Sequence, residues 1–440
     1  MLPDRSQTQQ RADLTFRGNV HSGRHGWLRL TTAYSLTLAR ERMAHLAPGS
    51  SVLEPFAGSG TTPLVAEEMG LHCQAREINP FLVWFTNAKL DYYSPQTRSE
   101  AQQAASQVLS QASACEKADI PFWTPPIHHI ERWWDPVTLK ALAALKSFIN
   151  IHSGQVRNLL DVAFCRVMMG TSNVVFNHQS MSLKKLEADT DQPAFELPAN
   201  TYQDVLTRFQ LEFGEVVTTL AEPLRLTASV HQGDSKTPFD AFEPADMVLT
   251  SPPYCNRMSY IRELRPYMYW LGFLASGEQA SDLDWKSTGG TWGKASTRLR
   301  GWSPSISPDY QSDDSQDGTP VPTPTELEAS LPIASELAAA LENIEKGKSG
   351  DILAPYVHKY FLDMWQHFLM IDPVLKPGGD MCYVIGNSTF SGTEVPTHRW
   401  YAQMMEALGY TNIHIDTLRK RNSNKALYEF AVCSHKPSAA

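Results

Sequence analysis

The sequence is poor in several features that would each define a class of protein. Cysteine is sparse. The six residues Cys73, Cys115, Cys165, Cys255, Cys382 and Cys433 are scattered, with no Cys-x-x-Cys pair. That argues against a disulfide framework and against a structural zinc site. No run of 18 or more apolar residues occurs, so no membrane span is expected. The first residues are polar and lack the apolar core of a secretory signal. These absences predict a soluble, cytoplasmic protein. Lysine and arginine are missing from residues 303–345, where nine acids stand. That stretch carries the whole of the formal net charge of -9. The remaining body is neutral and can still hold a basic cleft, so the overall sign does not exclude a nucleic acid. A phosphate-cradling GxxxxGK[ST] loop is also missing. Gly60 is followed by Thr61, and Gly347-Lys348-Ser349 has Glu342 where the first glycine is needed.

The hydrophobic pattern divides 440 residues into α/β portions separated by other material. Residues 1–26 read as a flexible arm. Residues 27–91 hold a strand at 51–56, a glycine turn, a helix ended by Gly70 and a strand at 71–78. Residues 92–225 are helical by period, an insertion. Residues 226–276 and 346–440 supply strands at 226–232, 245–250, 380–386, 412–417 and 426–433. Residues 277–345 read as an irregular, partly acidic insertion and a candidate DNA-recognition loop, with a disordered acidic linker over 303–345. Seven strands alternating with helices predict an α/β, doubly wound, Rossmann-like sheet.

Two turns at strand ends carry chemistry. The first is Glu54-Pro55-Phe56-Ala57-Gly58-Ser59-Gly60-Thr61-Thr62, between a strand and a helix. Glycines there admit a ligand close to the backbone, and the helix start offers free N–H groups. Glu77 ends the next strand, 19 residues after Gly58, where an acid can accept hydrogen bonds from ribose hydroxyls. The alternative is an ordinary turn with an exposed glutamate. The second turn is Ser251-Pro252-Pro253-Tyr254, directly after the apolar strand Asp246–Thr250. Prolines cannot continue a central ladder, so the chain turns rigidly where open sheets place ligands. A hydroxyl, a fixed carbonyl and an aromatic ring then suit a planar heterocycle bearing an amino group. The alternative is a proline-rich turn with a core tyrosine.

Together these turns resemble the S-adenosylmethionine-dependent methyltransferases that modify exocyclic amines of DNA bases, whose pattern is (D/E)PFxGSGTT with (D/N/S)PP(Y/F). The resemblance covers about half the chain, over 27–90, 226–275 and 350–434. Glu54 stands where Asp is commoner. The resemblance implies that S-adenosylmethionine is held by residues 54–62, by Glu77, Ile78 and Asn79, by Thr31, Thr32 and Tyr34 at its methionine end, and by Asp234 and Ser235 at its adenine. It implies catalysis by Ser251, Pro252, Pro253 and Tyr254 on a flipped-out base, without a metal. The serine variant points to cytosine N4; adenine N6 enzymes usually carry Asp or Asn there. No Pro-Cys dipeptide exists for cytosine C5 chemistry. The implied partners are double-stranded DNA and a cognate restriction or defence-system protein, with no membrane; the oligomeric state is not legible.

Basic residues near aromatic ones are the candidate DNA contacts. They are Arg257, Arg262 and Arg265 beside the second turn, Lys286, Lys294, Arg298 and Arg300 among Trp285, Trp292 and Trp302, and Arg419, Lys420, Arg421 and Lys425 near the last strands. Other readings stay open: an adenine N6 enzyme, a tRNA guanine N2 methyltransferase, a dinucleotide-binding oxidoreductase that gives Ser-Pro-Pro-Tyr no role, and a catalytically silent nucleic-acid binder.

Overall fold

The computed structural model describes residues 14–30, 33–175, 182–183, 201–221, 224–256, 259–291, 294–305, 321–421 and 426–438. Seven strands form the central sheet: β1 (Ser51–Glu54), β2 (His72–Glu77), β3 (Ala228–Gln232), β4 (Ala245–Thr250), β5 (Leu375–Gly386), β6 (Thr411–Lys420) and β7 (Tyr428–His435). Their order across the sheet is β3-β2-β1-β4-β5-β7-β6. The pairings from β3 to β5 are parallel, and β7 joins β5 and β6 antiparallel. This is the Rossmann-like methyltransferase arrangement, and the seven expected strands all appear. Strand β4 is buried on both faces, which is why Met247, Val248 and Leu249 read as one apolar run. The chain moves from β1 outward to β2 and β3, then returns to lay β4 on the other side of β1. A crevice opens at such a reversal, beyond the carboxyl ends of the strands. Both turns singled out in the sequence sit there.

The helices on the first half are α1 (Leu36–Met43), α2 (Thr61–Met69) and α3 (Pro80–Leu90). Gly60 and Gly70, both left-handed, bound α2. Asn79 caps α3 through a bond from the Phe81 N–H, with Pro80 in its first turn. The expected helical insertion contains α4 (Pro95–Ala114), α5 (Pro136–Ile149), α6 (Gly154–Gly170) and α7 (Tyr202–Thr218). They bury Leu142, Leu145, Phe164, Met168 and Phe209 in one core. That core continues into Phe81 and Phe85 of α3 and into Tyr267 and Trp270 of α8 (Tyr260–Leu271). Because α3 follows β2 and α8 follows the Ser-Pro-Pro-Tyr turn, the insertion is packed against both elements that lead out of the crevice.

Two expectations from composition are corrected. Within 277–345 the described residues are mostly helical: α9 (Gly277–Lys286), α10 (Lys294–Leu299), α11 (Pro324–Ser330) and α12 (Ala334–Glu345). Thr323 and Glu326 form a reciprocal capping box at α11. Leu327, Leu331, Ile333, Leu337 and Ile344 are buried against α13 (Gly350–Ile371) and α14 (Thr397–Ala407). Glu336 accepts from the Trp400 indole at 2.9 Å and from Gln403 at 2.8 Å. The acids dominated the composition, but the leucines and isoleucines at helical spacing decide the structure. Residues 306–320 of the expected linker lie outside the described residues.

The arm 1–26 is likewise not loose where it is described. Arg24 donates to the carbonyls of Lys89 and Asp91, both at 2.7 Å, and Asn19 bridges the Tyr34 carbonyl and the Leu36 N–H. The six cysteines are free and buried. No helix among the described residues is long and apolar enough to cross a membrane.

Candidate active site

A cavity of about 310 Å³ lies at the carboxyl ends of β1, β2, β3 and β4. Its wall contains Pro55, Phe56 and Gly58 from the first turn, Glu77, Ile78 and Asn79 after β2, Gly233, Asp234 and Ser235 after β3, and Ser251, Pro252, Pro253 and Tyr254 after β4. Tyr34 joins them from the segment before α1. Five separate stretches singled out in the sequence therefore meet at one place.

The first turn is built tightly. Glu77 accepts from the Gly58 N–H through one carboxylate oxygen and from the Asn79 N–H through the other, both at 2.8 Å. Burial pushes the Glu77 carboxyl above its usual range, and the main-chain donors pull it back. Each oxygen keeps acceptor capacity towards the cavity. Gly60 has φ +76°, and a Cβ there would lie 2.3 Å from Thr86 Cγ2 of α3. Its missing side chain therefore clears Thr86, and the reading that it clears the ligand is corrected. Of the two glycines in this turn, Gly58 lines the cavity.

Glu54 is not on the wall. It is buried beneath it, accepting from the Phe56 N–H at 3.0 Å, from the Thr62 hydroxyl at 2.5 Å and from the Thr250 hydroxyl. The Tyr34 hydroxyl adjoins Thr62 at 2.6 Å. Burial, opposed by these bonds, pushes the Glu54 carboxyl up to about 8. Glu54 thus ties β1, α2 and β4 together under the cavity floor. Ala57, Ser59, Thr61 and Thr62 are also buried in the turn or helix start and do not line the cavity. Thr31 and Thr32 lie outside the described residues. The turn after β3 is held from below: Arg76 donates to the carbonyls of Asp234 at 3.1 Å, and of Thr237 and Pro238 at 2.8 Å.

At the second turn the Ser251 hydroxyl donates to the Val384 carbonyl of β5 at 3.1 Å. A carbonyl can only accept, so the serine proton lies there and the oxygen keeps its lone pairs. Tyr254 donates its own proton to Glu429 at 2.7 Å. Burial, then the nearby Glu429 charge, raises the Tyr254 phenol well above its usual range. Glu429 is also bonded by Arg419 at 2.7 and 3.1 Å, and the Arg421 guanidinium lies 5.7 Å from the centre of the Tyr254 ring. The Pro253 carbonyl accepts from Tyr360 at 2.7 Å, which fixes the turn from behind.

The candidate DNA contacts separate into groups. Arg419 and Arg421 line the cavity; Lys420, between them in β6, does not. Arg262 and Arg265 sit on α8, where Arg265 lies 5.5 Å from the Trp133 ring of the helical insertion. Lys286, Lys294, Arg298 and Arg300 are exposed on or beside α9 and α10. Three of them are answered by acids: Lys294 by Glu278 at 2.7 Å, Arg298 by Asp282 at 2.9 Å and Arg300 by Asp351 at 2.9 Å. Trp285 and Trp302 are buried core residues, and the Arg298 guanidinium lies 5.6 Å from the centre of the Trp285 ring. Arg257, Trp292 and Lys425 lie outside the described residues. The sequence reading also missed wall residues, among them Leu14, Tyr260, Asp284, Thr288 and Glu429. Glu429 was legible in principle, as a lone acid in the apolar run Tyr428–Cys433. Asp284 and Thr288 carried no such signal.

No protein-family model matches the chain. The chain is similar to the Type II methyltransferase M.BsoBI of Geobacillus stearothermophilus, at 22% identity over 461 residues. The alignment covers 97% of this chain and 86% of that protein.

Proposed function

We propose that the chain is an S-adenosylmethionine-dependent, site-specific DNA methyltransferase acting on the exocyclic amine of a flipped-out base, with cytosine N4 as the acceptor. The observation that carries this is the convergence of the first turn and Ser-Pro-Pro-Tyr on one cavity, with the Ser251 proton already committed to Val384. The similarity along nearly the whole length to a protein named a Type II methyltransferase supports the same reading.

The cavity has room and acceptors of the right kind for the cofactor. Gly58 leaves the backbone open, and Glu77 and Asp234 bring carboxylates to the wall where hydroxyls and an amine would lie. When bound, S-adenosylmethionine supplies an activated methyl group. An exocyclic amine is a poor nucleophile because its lone pair is delocalised into the ring. Ser251 Oγ and the Pro252 carbonyl accept its two N–H bonds and draw them out of the ring plane, which localises that pair. Tyr254, its hydroxyl pinned by Glu429, offers a fixed ring face that replaces the stacking lost on flipping. The chain's contribution is position and electrostatic complementarity, with no covalent intermediate on the protein.

The test is incubation of the purified chain with labelled S-adenosylmethionine and DNA, then RNA, followed by digestion and mass spectrometry. N4-methylcytosine in DNA is expected. N6-methyladenine would overturn the base assignment and keep the site. Label in RNA alone, or none, would overturn the reading.

A further inference from the structure

A pair of cysteines stands behind the cavity and has no part in the chemistry above. Cys382 of β5 and Cys433 of β7 are direct partners in the antiparallel register, so their side chains leave the sheet on the same face. The ladder fixes the kind of pair. The Lys436 N–H donates to the Gly379 carbonyl at 2.9 Å, and the Asn387 N–H to the Tyr428 carbonyl at 3.3 Å. Bonded and unbonded pairs alternate along such a ladder. Cys382 is an odd number of residues from both Gly379 and Asn387, and therefore falls on an unbonded pair. There the Cα atoms approach to about 4.5 Å, inside the range of roughly 4.4–6.8 Å that a disulfide spans. The two thiols lie within hydrogen-bond reach of each other. The Arg42 guanidinium of α1 donates to Cys433 Sγ at 3.9 Å and is held by Asp416 of β6 at 2.8 Å. The hydrogen bond from Cys382 draws the Cys433 thiol below its usual range; burial opposes it and Arg42 assists. Cys433 keeps 8% exposure beside an Arg42 side chain that keeps 23%, which leaves a small oxidant its approach.

We infer that Cys382 and Cys433 are a redox modification site: a peroxide closes them into a cross-strand disulfide, and the bridge slows methyl transfer at the neighbouring cavity. The effect on transfer rests on the proposed function of that cavity; the bridge itself does not. The Cys433 thiolate attacks one peroxide oxygen, the O–O bond breaks and hydroxide leaves, so that Cys433 becomes a sulfenic acid. The Cys382 sulfur then attacks it, forming the S–S bond and breaking the S–O bond, and the second oxygen leaves as hydroxide. The two thiol protons take both hydroxides to water. Two thiols and one hydrogen peroxide thus give one disulfide and two waters, with both sulfurs oxidised and both oxygens reduced. The bridge needs Cβ atoms about 3.8 Å apart, whereas facing residues ordinarily stand about 4.5–5.5 Å apart, so closure draws β5 and β7 together by on the order of 1 Å. Val384, two residues along β5, accepts the Ser251 proton through its carbonyl, and Glu429, four residues along β7, holds Tyr254. Both anchors of the second turn therefore lie on the strands that the bridge moves. A displacement of that size at a reacting group costs up to about a hundredfold in rate.

The test incubates the chain with hydrogen peroxide, blocks the remaining thiols by alkylation, digests without reductant and maps the peptides by mass spectrometry. Transfer from labelled S-adenosylmethionine to DNA is followed in the same samples. A peptide pair linked through Cys382 and Cys433 is expected, with kcat lowered roughly tenfold to a hundredfold. Dithiothreitol should restore both the thiols and the rate, which separates the bridge from methionine oxidation. Cys433→Ser should transfer at about the wild-type rate before peroxide and keep that rate after it, which separates the bridge from oxidation of Cys255 beside Tyr254. Cys382→Ser is the second variant should that chain not fold. No linked peptide, a linked peptide with unchanged rate, or a loss of rate that persists in both serine variants would each overturn the inference. If the reduced chain transfers no methyl group, the proposed function fails and the claim on rate with it, while the linked peptide still decides whether the pair is a redox site.

Discussion

In the proposed mechanism Ser251 is the residue on which the chemistry turns. Its hydroxyl bonds to the Val384 carbonyl and lies within hydrogen-bond reach of the Tyr254 phenol, and none of these bonds reaches Glu77 or the first turn. Ser251→Ala is therefore expected to cut single-turnover transfer by about one to three orders of magnitude, the scale of removing one well-placed polar partner. Cofactor affinity, followed by titration calorimetry, should be unchanged. Full activity in this variant would overturn the mechanism. Tyr254→Ala is expected to weaken the flipped complex by roughly 1–3 kcal/mol of stacking, whereas Tyr254→Phe keeps the ring and loses only the Glu429 tether. Gly60→Val should abolish cofactor binding for an indirect reason: its side chain meets Thr86 and displaces the turn that carries Gly58. Calorimetry should show no binding, and thermal unfolding a lower midpoint. The residues legible in the sequence were those in short contiguous runs, such as Gly58, Glu77, Ser251 and Tyr254. Glu54 was misplaced because a motif gives the order of residues along the chain and not which side of the turn each faces. Arg421 was legible only as a cation. Its place beside Tyr254 depends on the pairing of β5, β6 and β7, which no local spacing records.

At the scale of elements, Glu54 couples β1, α2 and β4, and its environment gives stability a pH dependence. Its carboxyl rises from 4.5 to about 8 on folding, through burial first. Between those values the unfolded chain has released the proton and the folded chain keeps it. The folded state binds more protons, so this contribution to stability is full below the unfolded value and declines as pH rises through the window. Glu54→Gln mimics the neutral form, and the threonine hydroxyls can turn to suit an amide. The unfolding free energy from urea titrations between pH 5 and 8 should fall in the wild-type chain by up to about 1.4 kcal/mol per pH unit from this group. The Gln variant should lack that component, and an unchanged slope would show that Glu54 ionises normally. Elements also explain where composition misled. The strands were readable because each is a short apolar run between turn residues. Helices α11 and α12 were hidden by their acids, although Leu327, Leu331, Leu337 and Ile344 recur at helical spacing. Leu337→Ala is accordingly expected to cost about 2–5 kcal/mol in urea unfolding, the range for a buried leucine, where a solvated linker would lose nothing.

For the whole molecule, the question is how a chain with formal charge -9 would meet the polyanion that the proposed function requires. Nine of its acids stand in 303–345, with no basic residue among them, and the rest balances. The exposed cations Lys286, Lys294, Arg298 and Arg300 stand together on the α9–α10 segment, which also supplies Asp284 and Thr288 to the cavity wall. DNA whose base enters the cavity would thus bring phosphates past this segment. The ion pairs there join partners that are largely exposed, and such pairs contribute little, so phosphate oxygens can replace the carboxylates. If about four phosphates are neutralised, log affinity should fall against log salt with a slope of roughly -3.6. A fourfold rise in salt then costs on the order of a hundredfold in affinity. Replacing Lys294, Arg298 and Arg300 by alanine should reduce that slope to roughly -1 for the remaining cation, while leaving calorimetric cofactor binding unchanged. Replacing Glu278 and Asp282 by their amides should tighten binding at low salt, because the displaced carboxylates no longer repel the backbone. Fluorescence anisotropy across the salt range measures all three. A flat dependence in the wild-type chain would mean that DNA approaches from another face, and that the pairs on α9 and α10 serve only the fold.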